Sequence, residues 1–166
     1  MDFAEIYDRY FPGIYNYARY RVGSPADADD VAARTFEAAL AGLGAYDAAR
    51  GPERVWLFGI ARNMVADFFR RRIRRGEVFL EDIPEQIGTE PHIEDLLAGK
   101  EEVRLLLEAV SVLDARSRDI VALKFSSGMT NRDIAHMTGL GESNVGLIIY
   151  RAVKKMQASL AAKGKI

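Results

Sequence analysis

The sequence predicts an all-α protein built from two small helical domains that are joined by an acidic linker. Apolar residues recur at the helical spacing i, i+3, i+4 through most of the 166 residues, and strand patterns are weak. Charge changes sign along the chain: residues 1–75 carry a net charge of +2, residues 76–103 carry −8, and residues 104–166 carry +5. We therefore predict a first domain at residues 1–75, a linker at 76–93 and a second domain at 94–166.

The first domain is expected to be a bundle of three helices. The first helix covers residues 2–21, and Pro12 inside it predicts a kink or a short break, because proline cannot donate a backbone hydrogen bond. Ser24 is a good N-cap for the second helix, and Pro52 suits the first turn of the third. The third helix ends in a run that holds five arginines, at residues 70–75, so its exit is strongly basic.

The second domain is expected to contain four helices. The first is an amphipathic helix over residues 93–113, and Asp114 and Thr130 are N-caps for the two helices that follow. A turn with two glycines at residues 139–141 separates the short third helix from a last helix over residues 142–161. This order is typical of a helix-turn-helix, although hairpins of two helices without any DNA function share it.

One side of the last helix is expected to face the core, and the other side to face outward. At 100° per residue, the core side holds four apolar residues: Val145, Ile149, Ala152 and Met156. The outward side presents Ser143, Leu147, Tyr150 and Lys154, flanked by Arg151. This outward side either enters the major groove of DNA or is a solvated basic face. The uncharged residues 146–148 are unusual for a groove-facing helix, and Leu147 fits either a thymine methyl group or a protein partner.

The composition excludes several classes of chemistry. Because there is no cysteine, disulfides, zinc–thiolate sites, iron–sulfur clusters and cysteine nucleophiles are ruled out. His92 and His136 are far apart in sequence, so we expect no metal site, no cofactor and no enzymatic activity. No apolar run approaches the ~20 residues of a membrane span, and the acidic opening residues do not resemble a secretory signal. We therefore expect a cytoplasmic protein that does not insert into membranes.

Two motifs carry a family resemblance that covers essentially the whole chain. The first is W-L-F-G-I-A-R-N at residues 56–63, followed by Asp67 and the arginine run. The second lies in the helix-turn-helix, with T-N-R-D-I-A at residues 130–135 and Y-R-A at residues 150–152. With these motifs the chain resembles the extracytoplasmic-function (ECF) group of bacterial sigma factors in the sigma-70 family. The resemblance implies transcription initiation with core RNA polymerase and promoter DNA as partners, and regulation by an anti-sigma factor.

The resemblance also implies a role for each domain. In such proteins the first domain, region 2, melts the minus-ten promoter element, and the second, region 4, reads the minus-thirty-five element. A base pulled from the stack would be held between the loop at residues 43–51 and Asn63, and Tyr46 either stacks on a base or anchors that loop. The other DNA contacts expected from region 2 are Arg62, Arg70, Arg71, Arg72, Arg74 and Arg75. Those expected from region 4 are Thr130, Arg132, Ser143, Asn144, Leu147, Tyr150, Arg151 and Lys154.

The polymerase-binding helix departs from the family pattern D-x-x-Q-E/D-T-F. The expected contact positions are Asp30, Ala33, Arg34 and Phe36. In this chain Ala33 replaces the glutamine of the pattern, and Arg34 replaces its acidic residue. If the partner surface is basic, Arg34 turns an opposed charge pair into a like pair and weakens binding. A changed polymerase surface, an accessory protein or a phosphate added nearby, for instance at Thr35, would compensate for this loss.

Other interpretations stay open. In the family the acidic linker threads through the polymerase, where it would mimic nucleic-acid charge, but a solvated tether has the same composition. A helix-turn-helix regulator that binds duplex DNA without polymerase would explain residues 104–166 but not the motif at residues 56–63. The second alternative is a sigma-like decoy that binds polymerase or an anti-sigma factor and binds DNA weakly.

Overall fold

A computed structural model describes residues 2–77 and 101–164 of the chain, and every regular element within these two ranges is helical. The predicted all-α fold class is confirmed. The helices are α1 (Phe3–Arg21), α2 (Pro25–Gly42), α3 (Glu53–Arg74), α4 (Glu101–Val110), α5 (Ala115–Ser127), α6 (Asn131–Thr138) and α7 (Glu142–Ala162). We call α1–α3 the N-terminal bundle and α4–α7 the C-terminal bundle. The predicted linker from residue 78 onward, with His92 and the first residues (93–100) of the helix expected over 93–113, lies outside the described residues, and α4 is the described part of that helix.

The helices of the N-terminal bundle begin within one residue of the predicted starts, and Pro52, expected in the first turn of α3, lies at the N-cap just before it. The Ser24 side chain accepts a hydrogen bond from the Asp27 backbone N–H at 3.1 Å, and Pro25 occupies the first turn of α2. Helix α1 runs through Pro12 without interruption, so of the two outcomes expected there the break is not found. Two short 3-10 turns, Leu43–Ala45 and Ala48–Arg50, connect α2 to α3.

The C-terminal bundle has the predicted short helix, turn and long helix. Asp114 caps α5 by accepting from the Ser117 backbone N–H at 2.8 Å. At the start of α6, Thr130 and Asp133 form a capping box in which each side chain accepts from the other residue's backbone N–H. Gly139 then turns the chain with φ +75°, a left-handed conformation that favours glycine, and α7 begins three residues later.

The two bundles share one hydrophobic core. Buried side chains of α1, α2 and α3 form a cluster that continues into the C-terminal bundle through Ile120, Ala122, Leu123, Met129, Ile134, Ala135 and Val145. A smaller cluster joins α4, α5 and α7 through Ala109, Val110, Leu113, Val121, Ala152 and Met156. Helices α1 and α5 form the main contact between the bundles. We call this packing of one bundle on the other the closed arrangement.

Among the described helices, none combines the length and the apolar character that crossing a membrane requires.

Candidate nucleic-acid interface

The outward face of α7 is present as predicted. Val145, Ala152 and Met156 are buried, and Ile149 is partly buried against the core. The opposite face exposes six of the predicted DNA-contacting side chains: Ser143, Asn144, Leu147, Tyr150, Arg151 and Lys154. The Lys154 ammonium lies 5.6 Å from the centre of the Tyr150 ring, so the cation and the aromatic ring form one surface. This face combines hydroxyl, amide, aromatic and cationic groups, which suit contacts with bases and phosphates.

The uncharged stretch of α7 is largely explained by packing. A Cβ added to Gly146 would lie 3.5 Å from the Asn131 side chain, so this residue faces the start of α6. Ile148 is partly buried against the core. Only Leu147 of the three points into solvent. Of the three residues noted as unusual for a groove-facing helix, Gly146 and Ile148 therefore face the protein, and only Leu147 belongs to the outward face.

The other two residues expected from region 4 lie at the start of α6, Thr130 as its N-cap and Arg132 in its first turn. The Thr130 hydroxyl accepts the Asp133 backbone N–H at 3.1 Å, so its position is fixed by the cap. Arg132 is exposed and lines a cavity of about 520 Å³ between the bundles, opposite Arg50 and Pro52 of the N-terminal bundle. In the closed arrangement the loop before α3 therefore lies opposite the helix-turn-helix, and this cavity lies between them.

The arginine run forms a cationic end to α3. Arg71, Arg72 and Arg74 lie in its last turn, where the helix dipole favours cations. Arg72 packs 5.5 Å over the Phe68 ring, whereas Arg70 and Arg75 are well exposed in weak pairs with Asp67 and Glu77. The hydrogen bond from Arg70 lowers the pKa of Asp67. The helix dipole therefore stabilises the charges of the arginine run. The exposed arginines of the run also form a surface able to bind phosphates.

The loop between α2 and α3 is anchored by Tyr46. Its hydroxyl donates to the Gly51 carbonyl at 3.0 Å, and its ring lies 5.0 Å from the Trp56 ring. A cavity of about 300 Å³ opens here, lined by Tyr46, Trp56 and His136 among others. Asn63 is exposed on the same face of α3 as Trp56, about 10 Å further along the helix axis. The structure thus brings Tyr46 to a cavity but does not bring Asn63 to it.

Arg62 binds a carboxylate of the other bundle. Its Nε donates to Asp119 Oδ2 at 2.9 Å, and the other Asp119 oxygen accepts from the Tyr17 hydroxyl and from Arg21 Nη1, each at 2.6 Å. Burial is the largest single influence on the pKa of Asp119 and raises it, but the Arg21 charge, the Tyr17 hydrogen bond and Arg62 together hold this pKa below its ordinary value. Burial, followed by the Asp119 charge, raises the pKa of Tyr17 far above its usual range, so this hydroxyl keeps its proton and donates.

The polymerase-binding positions on α2 lie around Asp30. Arg34 Nε donates to Asp30 Oδ2 at 3.0 Å, and Arg71 Nη2 lies 3.9 Å from the same oxygen. Ala33 is exposed, whereas Phe36 is only 4% exposed and packs against the rings of Phe3, Tyr7 and Phe11. Phe36 therefore packs beneath this surface and contacts the aromatic rings of α1.

The hydroxyl named as a phosphorylation position lies away from solvent. Thr35 is buried, and its Oγ1 donates to the Val31 carbonyl at 2.8 Å. A modifying enzyme would reach this oxygen only after α2 opens locally.

Sequence reasoning missed Tyr17, Arg21 and Asp119 as a functional group. Tyr17 lies at helical spacing among the apolar residues of the first helix, which favours a core position, and nothing local links it to a carboxylate 102 positions away. One signal was available: Asp119 directly precedes the apolar residues Ile120 and Val121 in a domain of net positive charge. An acid beside a buried stripe needs a buried cation or donor, although the sequence does not say which one.

Known families match both bundles. The family described as Sigma-70 region 2 matches residues 6–75, and the family described as Sigma-70, region 4 matches residues 104–156. These matches cover α1–α3 and most of α4–α7, in the order that the motifs predicted. Such a protein is a two-part transcription factor of the sigma-70 type.

Individual relatives agree with this assignment. The ECF RNA polymerase sigma factor BldN of Streptomyces coelicolor is 32% identical over 93% of this chain, which spans 58% of the length of BldN. The RNA polymerase sigma factor CnrH of Cupriavidus metallidurans is 35% identical over 82% of this chain and 74% of its own. The chain belongs to the ECF group of the sigma-70 family.

Solved structures show the same fold. CnrH in complex with the cytosolic domain of CnrY matches 96% of this chain and 88% of its own with a TM-score of 0.70 and 28% identity. The sigma factor RpoE in complex with the anti-sigma factor NepR, from Bartonella quintana, matches 96% of this chain and 97% of its own with a TM-score of 0.78. At 22% identity, the second match supports the fold alone.

Proposed function

We propose that this protein binds core RNA polymerase and directs it to promoters, with region 2 melting the minus-ten element and region 4 reading the minus-thirty-five element. The observation that carries this proposal is the pairing of two family matches with two cationic surfaces on different bundles. One surface is the arginine-rich end of α3, and the other is the outward face of α7. Two separate DNA contacts suit a protein that must span two promoter elements. The protein itself performs no chemistry, because the polymerase makes the RNA.

The predicted division of the chain supports the same function. The two family matches leave residues 76–103 between them, and this stretch has a net charge of −8. We therefore keep the boundaries 1–75, 76–93 and 94–166, with the middle segment passing through the nucleic-acid channel of the polymerase.

Further partners follow from the relatives. CnrH is bound by the cytosolic domain of CnrY, and we extend such a protein regulator, an anti-sigma factor, to this chain. Because the polymerase and the promoter are its proposed partners, the protein would act in the cytoplasm.

Run-off transcription with core polymerase across a promoter library tests the proposed function. We expect transcripts that start at a defined site only when the protein is present. Binding to duplex DNA without polymerase, and no initiation, would instead establish a helix-turn-helix regulator. Polymerase binding whose complexes with promoter fragments hardly respond to salt would establish a decoy, since phosphate contacts make DNA binding salt-dependent.

Changing Arg34 to glutamate should strengthen the binding of core polymerase. In the parent, Arg34 pairs with Asp30 and places a positive charge on the proposed polymerase surface. Removing one like-charge contact and restoring the family's acid should lower the dissociation constant by about tenfold, which corresponds to ~1.4 kcal/mol. The measurement is equilibrium binding of labelled protein to core polymerase, compared with Arg116→Glu, which makes the same charge change on the C-terminal bundle. Equal affinities for the parent and Arg34→Glu would show that Arg34 does not weaken the interaction.

A further inference from the structure

Asp119 joins the two bundles through its carboxylate. It lies on α5 and is only 7% exposed, and its three hydrogen bonds described above all come from the N-terminal bundle. Two donors come from α1 (Tyr17 and Arg21), and the third is Arg62 of α3. While the bundles are closed, this buried carboxylate depends on these donors because water does not reach it, and removing a donor or the carboxylate leaves a buried charge without its partner. The closed arrangement therefore depends on Asp119 being held from the other bundle.

A glycine allows the two bundles to come this close. Gly13 lies in the middle of α1, where glycine is about 1 kcal/mol less favourable than alanine. A Cβ at this position would lie 2.6 Å from the Ser126 backbone carbonyl oxygen at the end of α5, closer than such atoms approach. It would also meet the tip of the Phe58 ring at 3.2 Å, a contact that a side chain relieves by a small shift. The close contact with the α5 backbone is therefore what requires glycine at position 13.

The closed arrangement is incompatible with binding both promoter elements at once. The elements named minus-ten and minus-thirty-five are separated by about 25 base pairs, or about 85 Å at 3.4 Å per base pair. In the closed arrangement Arg62 of region 2 lies 2.9 Å from Asp119 of region 4. Arg62 is also one of the proposed DNA contacts. Here its guanidinium, which would bind a phosphate, is hydrogen-bonded to the Asp119 carboxylate.

We propose that Asp119 is an intramolecular latch, which keeps this chain closed without any partner by binding Tyr17, Arg21 and Arg62, and which takes the place of promoter DNA at Arg62. The role of Arg62 in this proposal rests on the proposed function, whereas the latch itself rests on the contacts between α1, α3 and α5. Promoter DNA then has to compete with the latch at Arg62, and a polymerase that holds the two bundles on separate promoter elements binds only the open fraction of molecules.

Energy transfer between two dyes measures the closed fraction directly. The chain has no cysteine, so Ala26→Cys on α2 and Ala158→Cys on α7 provide two labelling positions, both exposed. The full-length chain without polymerase should show high transfer. Asp119→Asn should shift the ratio of closed to open molecules by about a hundredfold toward open, because it removes the charge that Arg21 and Arg62 share. Glu108→Gln removes a carboxylate charge elsewhere on the C-terminal bundle and should leave the transfer unchanged.

A second variant separates the latch from a folding defect. Gly13→Ala favours helix α1 itself but blocks the approach of α5, so it should lower the transfer while far-UV circular dichroism stays helical. Gly59→Ala is its control, since a Cβ there meets nothing within 4 Å. Both opened variants should also bind core polymerase at least about tenfold more tightly than the parent.

The outcomes distinguish the latch from the proposed function. Low transfer in the parent, or parental transfer in Asp119→Asn, would overturn the latch even if transcription is normal. Lower transfer in both variants, with no polymerase binding by the parent or by either variant, would support the latch and overturn the proposed function.

Discussion

Replacing Phe58 by alanine should lower the free energy of unfolding by about 3–5 kcal/mol, the largest stability effect that we expect from a single substitution. Phe58 is 1% exposed and lies in the shared core, where its ring meets the Tyr17 ring edge-to-face with centroids 6.2 Å apart. Removing the ring leaves a cavity at the point where α1, α3 and the end of α5 meet. Chemical denaturation followed by circular dichroism measures the loss.

The matched control for this prediction is Phe125→Ala. Phe125 is 61% exposed, so the same substitution at this position should change the free energy of unfolding by less than about 0.5 kcal/mol. Equal effects at the two positions would show that Phe58 is not a core residue. Because Phe58 touches the junction between the bundles, its loss should also reduce the cooperativity of unfolding.

Neutralising the exposed arginines of α3 should have the largest effect on promoter binding. In the triple variant Arg70→Gln, Arg74→Gln, Arg75→Gln, up to three phosphate contacts are lost. The slope of log affinity against log salt should then become shallower by about 2.7, and affinity in 0.1 M salt should fall by about two to three orders of magnitude. The measurement is a salt titration of holoenzyme binding to a promoter fragment.

A control variant with the same charge change tests whether position matters. Arg9→Gln, Arg116→Gln, Lys163→Gln also removes three positive charges but leaves the arginine run intact. We expect this control to keep most of the parental slope. If the two triple variants had equal slopes, the arginine run would be a solvated helix end and not a DNA contact.

Local sequence signals predicted the helices well because helix ends are local structures. Ser24, Asp114 and Thr130 were expected to cap helices, and the structure confirms each of them. Of the kink or short break expected at Pro12, the break is not found, because α1 is held on several sides by α2, α3 and α5. Tertiary packing here outweighs the hydrogen bond that proline cannot donate.

The contacts between the bundles could not be predicted from the sequence. Periodicity shows that an amphipathic helix buries one side, but it does not show which partner covers that side. The ion pair between Arg62 and Asp119 joins positions 57 residues apart, on opposite sides of the predicted linker. By contrast, the inward position of Ile148 was available from helical geometry, because it lies only about 60° around the helix from Val145.

The Pro12–Gly13 pair also affects the order in which the chain folds during its synthesis. Both residues weaken an isolated helix, by about 3 and 1 kcal/mol, so α1 depends on neighbours that are made later. Tyr17 precedes Asp119 by 102 residues, and at about 5–20 residues per second the ribosome needs roughly 5–20 s to make that stretch. For the last 57 residues of that stretch, the nascent chain carries Arg62 before its carboxylate partner exists. A newly made molecule is therefore open before the proposed latch can form, whatever its later partners do.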